Sequence, residues 1–140
     1  MKKLFSYLFL GFFLTAVGTV SVFGQCEDEK ESSKLYAVAF HADYCGACKK
    51  IAPSLMELEE KLEGQPVKFV KFDFTNDEKK EMNHEMASGL GLKKILSENS
   101  GTGYVILVDA ESKKSVGKLT TKHSISEMLA LVEKNLQAAH

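Results

Sequence analysis

The stretch of sequence that decides the fold runs from residue 39 to residue 53 and reads Ala39-Phe40-His41-Ala42-Asp43-Tyr44-Cys45-Gly46-Ala47-Cys48-Lys49-Lys50-Ile51-Ala52-Pro53. An apolar segment ends at Phe40, a polar turn follows, and Cys45 arrives where a helix is predicted to begin. At a helix start, unpaired backbone N–H groups and the helix dipole stabilise an anion. The anion favoured here is a thiolate, the reactive form of cysteine. The Cys-X-X-Cys spacing places the thiol of Cys48 one helical turn further, close to the first.

The two cysteines therefore predict a redox pair that exchanges disulfides outside the reducing cytoplasm. Cys45 is the expected nucleophile, and Cys48 is expected to be more buried and to resolve the mixed disulfide by forming a Cys45–Cys48 disulfide. Two other interpretations stay open. A structural zinc site could use His41 as a third ligand, although the sequence shows no fourth ligand at short spacing. A purely structural disulfide is the other, but it does not explain why the pair stands at a helix start.

The patterns on either side of this stretch predict one mixed sheet. Buried strands are expected at residues 35–40, 67–72 and 104–108, with a weaker one at 115–119. Helices are expected after the cysteines, from about residue 76 to Ala87, and after Ser124, which can form a capping box with Glu127. Strands joined through a helix run parallel, whereas the short turn at 109–114 predicts an antiparallel hairpin. The expected class is α/β, β-α-β-α-β-β-α, with helices on both faces; residues 88–103 show no clear pattern.

Residues 40–53 resemble the active-site stretch of the thioredoxin family, including Lys49 and the Ile51-Ala52-Pro53 sequence that follows the cysteines. The resemblance implies a thioredoxin-like fold over residues 34–137, with Pro53 inside the active-site helix. It also implies a protein-disulfide oxidoreductase that needs no cofactor, because the cysteines carry the electrons. The expected partners are protein thiols or disulfides and a redox partner protein. The chain itself is expected to be a monomer.

The resemblance extends to further positions around the cysteines. Lys71 matches the family's buried lysine and implies an electrostatic or proton-transfer role, while Tyr44, Thr102 and Gly103 match positions that meet the substrate. The sequence departs from the family where Ala39 replaces a buried aspartate and Gly103 replaces a cis-proline. These two losses leave a second function open, in which the fold is a non-catalytic binding module that holds a metal ion or a partner protein.

His41 is the subject of a separate hypothesis. If its imidazole points at Cys45, the protonated ring would lower the pKa of the thiol and stabilise the reduced form. The alternative is that His41 is a polar residue on a surface turn. The sequence does not decide between the two.

The first residues predict export. Lys2 and Lys3 precede an apolar run at residues 4–23, which is typical of a secretory signal peptide and predicts one at residues 1–24. An uncleaved membrane anchor is the alternative. In both cases the domain at residues 35–140 is expected to be periplasmic or extracellular, with membrane contact only through the N-terminal segment. Residues 25–34 predict a polar linker, and they contain Cys26, for which lipid attachment and cross-linking both stay open.

The composition excludes other classes of protein. A length of 140 residues with 44% hydrophobic residues allows one packed domain and the leader. The net charge is −1, and all 18 basic residues are lysine. There is therefore no electrostatic basis for nucleic-acid binding.

Overall fold

The computed structural model describes residues 33–139, so the predicted signal peptide, Cys26 and most of the linker lie outside the described residues. The elements are β1 (Leu35–His41), α1 (Gly46–Lys61), β2 (Val67–Asp73), α2 (Asp77–Leu90), α3 (Lys93–Glu98), β3 (Tyr104–Asp109), β4 (Ser115–Thr120) and α4 (Ile125–Ala138). The predicted α/β class is confirmed, and the capping box at Ser124 and Glu127 is present. Between residues 33 and 139, no helix is long and apolar enough to cross a membrane.

The four strands form one mixed sheet in the order β2-β1-β3-β4. β1 and β2 run parallel because α1 connects them, and Ala39 lies opposite Lys71. β3 runs antiparallel to both β1 and β4. Since parallel strands end at the same edge of a sheet, the C-terminal ends of β1 and β2 lie side by side. The turn that leads to Cys45 leaves the sheet at this edge.

Apolar side chains fill both faces of the sheet. One face packs against α1 and α4, with Ile51, Leu58 and Met128 among the buried residues. The other face packs against α2 and α3. On this second face the Phe40 ring stacks on the Tyr104 ring with centroids 5.2 Å apart. Burial on both faces therefore holds the end of β1 in place, and the turn to Cys45 begins there.

The unassigned residues 88–103 contain a helix that the sequence pattern did not predict. α2 ends at Leu90 rather than near Ala87, and Gly91 caps it in the left-handed region with φ +70°. α3 then has only six residues and no side-chain cap, so it is too short to show a clear periodicity. It is held by Ile95 and Leu96, which are buried against the sheet.

Asn83 is the buried polar side chain among the described residues, with 3% of its surface exposed. Its amide oxygen accepts a hydrogen bond from the backbone N–H of Asp73 at 2.9 Å, and its amide nitrogen donates to the Asp73 carbonyl at 2.8 Å. Asp73 is the last residue of β2, which is an edge strand. The Asn83 side chain therefore takes the place of a neighbouring strand at this one residue and ties α2 to the end of β2.

Candidate active site

Cys45 is the N-cap residue of α1 and has an extended backbone. Its N–H donates to the carbonyl of Ala42 at 3.0 Å, which closes the turn after β1. Its sulfur accepts a hydrogen bond from the backbone N–H of Cys48 at 3.1 Å. The sulfur thus occupies the position where a helix start stabilises negative charge. Cys45 is partly exposed, so a substrate can reach it.

Cys48 lies one turn further along α1 and is 3% exposed. Its thiol donates to the carbonyl of Phe40, with 3.7 Å between sulfur and oxygen. The prediction that Cys48 is the more buried cysteine is confirmed. The Cys45–Cys48 disulfide stays a prediction, since both cysteines are free thiols in this structure.

The surroundings of the two sulfurs separate their pKa values. Burial raises the pKa of Cys45, but hydrogen bonds from the Cys48 thiol, the Thr102 hydroxyl and nearby backbone N–H groups outweigh it, so the pKa lies below its ordinary value. Burial also raises the pKa of Cys48, and the hydrogen bond with Cys45 raises it further. Cys45 therefore ionises first, which is the order that a nucleophile and a resolving thiol require.

Gly103 lies where β3 begins and packs against the first turn of α1. Its φ is +91°, in the left-handed region, and its N–H donates to the Phe40 carbonyl at 2.8 Å. A Cβ atom at this position would lie 2.5 Å from the Cβ of Ala47 and 3.3 Å from the sulfur of Cys45. Only glycine combines this backbone conformation with so close an approach. The same approach brings the hydroxyl of Thr102 to the two sulfurs.

A polar network ties the turn before Cys45 to the loop after β2. The backbone N–H of Asp43 donates to the Thr75 hydroxyl at 3.1 Å, and the Thr75 hydroxyl donates to the Asp73 carboxylate. The ammonium group of Lys79 donates to the same carboxylate at 2.8 Å. Burial raises the pKa of Asp73, but Lys79 and Thr75 outweigh it and hold that pKa well below its usual range. The charged carboxylate therefore anchors the turn from the neighbouring strand.

His41 belongs to this network. Its Nε2 atom lies 3.1 Å from Oδ1 of Asp43, on the partly exposed surface of the turn. The hydrogen bonds that lower the pKa of Cys45 come from Cys48, Thr102 and the backbone. The structure thus favours the interpretation of His41 as a polar residue on a surface turn.

The side chains of His41, Asp43 and Asp73 bring possible metal-ligand atoms within 4.8 Å of one another. The ammonium group of Lys79 already lies 2.8 Å from Asp73 and 3.9 Å from Asp43. A fixed positive charge at this place compensates the carboxylates and opposes a second cation. This cluster therefore does not favour the metal-holding alternative, and the two cysteines are not among its members.

Lys71 is exposed, which corrects the buried position implied by the resemblance. The reason is that, within residues 33–139, β2 is at the edge of the sheet and no further element covers Lys71. It lines a groove that Cys48 also lines. Tyr44 is 73% exposed, and its hydroxyl donates to the carbonyl of Phe74 at 3.3 Å. The structure therefore brings Thr102 and Gly103 onto the cysteines, whereas Lys71 lies in the groove and Tyr44 on the adjoining surface.

Residues 25–90 match the sequence model of the Thioredoxin family. The chain has a thioredoxin-like fold. A thiol:disulfide interchange protein of the thioredoxin family from Chlorobium tepidum TLS is 17% identical, with a TM-score of 0.54; the match covers 76% of this chain and 82% of that chain. A DsbH oxidoreductase is also 17% identical, with a TM-score of 0.56 and coverage of 77% and 76%. No curated protein matches the sequence. At these identities the two structures show a shared fold.

The structure shows where the residues that match the family's motif lie, and where the residues that depart from it lie. Pro53 lies inside α1, as the resemblance implied. Ala39 is half-buried and lines the groove beside Cys48, where the family has a carboxylate. An apolar wall at this point agrees with the raised pKa of Cys48, because burial disfavours the thiolate.

Sequence reasoning missed three residues of the site, namely Asp73, Thr75 and Lys79. A topological signal was available, because β1 and β2 were expected to run parallel. Residues that follow two parallel strands meet at one edge of the sheet. The loop after β2 could therefore have been placed beside the turn before Cys45, although the individual hydrogen bonds could not.

We expect Gly103→Ala to destabilise the reduced protein by about 1–3 kcal/mol, because the added methyl group overpacks the contact with Ala47 and a positive φ is strained for alanine. Urea unfolding measures the change. Gly89→Ala is the control, since its Cβ would meet nothing within 4 Å. Adding Ala47→Gly should recover part of the loss. Equal stability of Gly103→Ala and the wild type would contradict the close approach.

We expect Thr102→Val to raise the pKa of Cys45, because the hydroxyl no longer donates to the thiolate. Thr102→Ser keeps a hydroxyl and should restore a lowered pKa. The rate of iodoacetamide alkylation of Cys45 against pH measures the value. If the wild type, Thr102→Val and Thr102→Ser give the same pKa for Cys45, the Thr102 hydroxyl does not lower that pKa.

Proposed function

We propose that this thioredoxin-like protein is a thiol–disulfide oxidoreductase that exchanges disulfides with protein cysteines through Cys45 and Cys48, outside the cytoplasm. The observation that carries the proposal is the placement of the two thiols. Cys45 is accessible, caps a helix and has a lowered pKa, whereas Cys48 is buried and has a raised one. The names of the two structural relatives, a thiol:disulfide interchange protein and an oxidoreductase, agree with this chemistry.

The reaction uses two exchanges of a sulfur–sulfur bond. The Cys45 thiolate attacks one sulfur of a client disulfide, a mixed disulfide forms, and the other client sulfur leaves as a thiolate. Cys48 then loses its proton to solvent and attacks the sulfur of Cys45. The client's second sulfur leaves, and both client thiolates take up protons. The client gains two electrons, and Cys45 and Cys48 become a disulfide. The reverse sequence oxidises a client dithiol.

We expect the wild type to accelerate the reduction of insulin disulfides by dithiothreitol. Cys45→Ser should abolish this activity, because the nucleophile is lost. Cys48→Ser should stop turnover and accumulate a mixed disulfide between Cys45 and insulin, since the resolving thiol is absent. Cys26→Ser is the matched control and should keep the wild-type rate. The proposal fails if Cys45→Ser is as active as the wild type.

The proposed location is supported by the charged start and apolar run of residues 1–24. An exported domain meets an oxidising environment, where a Cys45–Cys48 disulfide persists. We expect N-terminal sequencing of the protein recovered from the periplasm or medium to begin at Gln25. Recovery only from the cytosol, with Met1 or Lys2 at its start, would exclude export.

A further inference from the structure

β2 uses only alternate residues to bond its neighbour in the sheet. The N–H of Leu35 donates to the carbonyl of Pro66 at 3.2 Å, and the N–H of Phe74 donates to the carbonyl of His41 at 2.8 Å. In a parallel pair, every second residue directs both its N–H and its carbonyl to the same neighbour. The even-numbered residues from 66 to 74 therefore face β1. The backbone groups of the odd-numbered residues of β2 point away from the sheet.

Part of this outward edge is already satisfied. The side chain of Asn83 bonds both backbone groups of Asp73, and the N–H of Val67 turns back to the preceding loop at 2.7 Å. The outward backbone groups of Phe69 and Lys71 have no protein partner among residues 33–139. An edge of this kind can accept a further strand. Asn83 sets the limit of the free edge, because it occupies the next position.

A groove of about 430 Å³ lies between β2 and α1, beside this free edge. Its walls are mainly apolar and include Ala39, Cys48, Ile51, Leu55, Met56 and Phe69. Successive side chains of a strand point to opposite faces of a sheet. Every second side chain of a strand added next to Phe69 and Lys71 would therefore point to the face that carries the groove. Since Cys48 forms part of the wall, the groove is continuous with the redox site.

The charges along β2 indicate the composition of the occupant. Lys68 and Lys71 are exposed, and neither forms an ion pair within the described part of the chain. Residues 25–32 are acidic, but they contain no large apolar side chain that would fill the groove. Two copies joined through β2 would bring their lysines together. Glu59 also lines the groove, so the side chain inside it should be apolar and the acidic one should lie near the lysines. A separate polypeptide with both kinds of residue can bond the free backbone groups, fill the groove and pair with Lys68 or Lys71.

We propose that an extended segment of the client protein adds as a strand to the edge of β2 at Phe69 and Lys71. It places an apolar side chain in the groove and an acidic one near Lys68 or Lys71. This inference rests on the proposed function, since the client is the protein whose disulfide reacts with Cys45. Strand addition uses backbone hydrogen bonds for affinity and side-chain pockets for selectivity. Unfolded or extended clients are therefore preferred over small disulfides.

Lys71→Pro tests the backbone contact, because proline removes the outward N–H and is tolerated on an edge strand. Lys71→Ala is the matched control, since it removes the charge and keeps the N–H. With insulin as substrate, we expect Lys71→Pro to raise KM by roughly two- to tenfold, the equivalent of one net hydrogen bond. The effect of Lys71→Ala should disappear at high salt, whereas that of Lys71→Pro should persist. Lys71→Pro and Lys71→Ala should reduce hydroxyethyl disulfide, which has no polypeptide to dock, at the same rate as each other, because both lack the lysine side chain.

The two substrates separate the possible failures. If the wild type reduces neither insulin nor hydroxyethyl disulfide, the proposed function is wrong. If it reduces both, and Lys71→Pro matches Lys71→Ala on insulin, the docking proposal alone is overturned.

Amide hydrogen exchange gives a second test that does not depend on the folding of the proline variant. The complex to be measured is the mixed disulfide between insulin and Cys45 of the full chain that carries Cys48→Ser. In this complex the N–H groups of Phe69 and Lys71 should become protected from exchange. Their exchange should be rapid in the free protein at any concentration. A trapped complex without this protection overturns the proposal. Protection in the free protein also overturns it. If this protection is lost when residues 1–32 are removed, the chain's own N-terminal segment covers the edge of β2. If it increases with protein concentration, a second copy of the chain covers it.

Discussion

The close approach of the Gly103 backbone to the first turn of α1 is the contact on which the arrangement of Cys45 and Cys48 depends. The carbonyl of Phe40 accepts the N–H of Gly103, and the buried thiol of Cys48 donates to the same oxygen. One backbone group at the end of β1 thus positions both the start of β3 and the buried Cys48. The left-handed backbone of Gly103 lets β3 enter without a Cβ atom between Ala47 and Cys45.

The difference between the two thiols follows from this arrangement and requires no dedicated charged side chain. Cys45 caps a helix and receives hydrogen bonds, whereas Cys48 is buried one turn further along the helix and lines the same groove as Ala39. His41 is paired with Asp43 and contributes to the turn. The acidic and basic side chains near the site therefore hold the backbone of the turn that leads to Cys45. The lowered pKa of Cys45 comes from the Cys48 thiol, the Thr102 hydroxyl and the backbone N–H groups at the helix start.

β2 has two different environments along its length. Its end is fixed by Asn83 and by the hydrogen bonds that link Asp73 through Thr75 to Asp43. These bonds hold the turn that follows β1, and leads to Cys45, against the end of β2. Among the described residues, no strand lies on the outer side of its middle, which borders an apolar groove, and this explains why Lys71 is exposed. The same edge position that leaves Lys71 exposed leaves its backbone available to another chain.

The sequence by itself determined the α/β class, the order of the long elements, and the placement of Cys45 and Cys48 at the start of a helix. These rest on local signals: apolar periodicity, caps, and two cysteines spaced by one helical turn. It did not determine α3, which is too short to show a period, nor the exposure of Lys71, which depends on which strand lies at the edge. Three contacts of the site join different elements or depend on side-chain rotamers. They are those of His41 with Asp43, of Thr75 with Asp73 and of Gly103 with Ala47. Only the tertiary structure decides such contacts, because they arise when distant parts of the chain pack together.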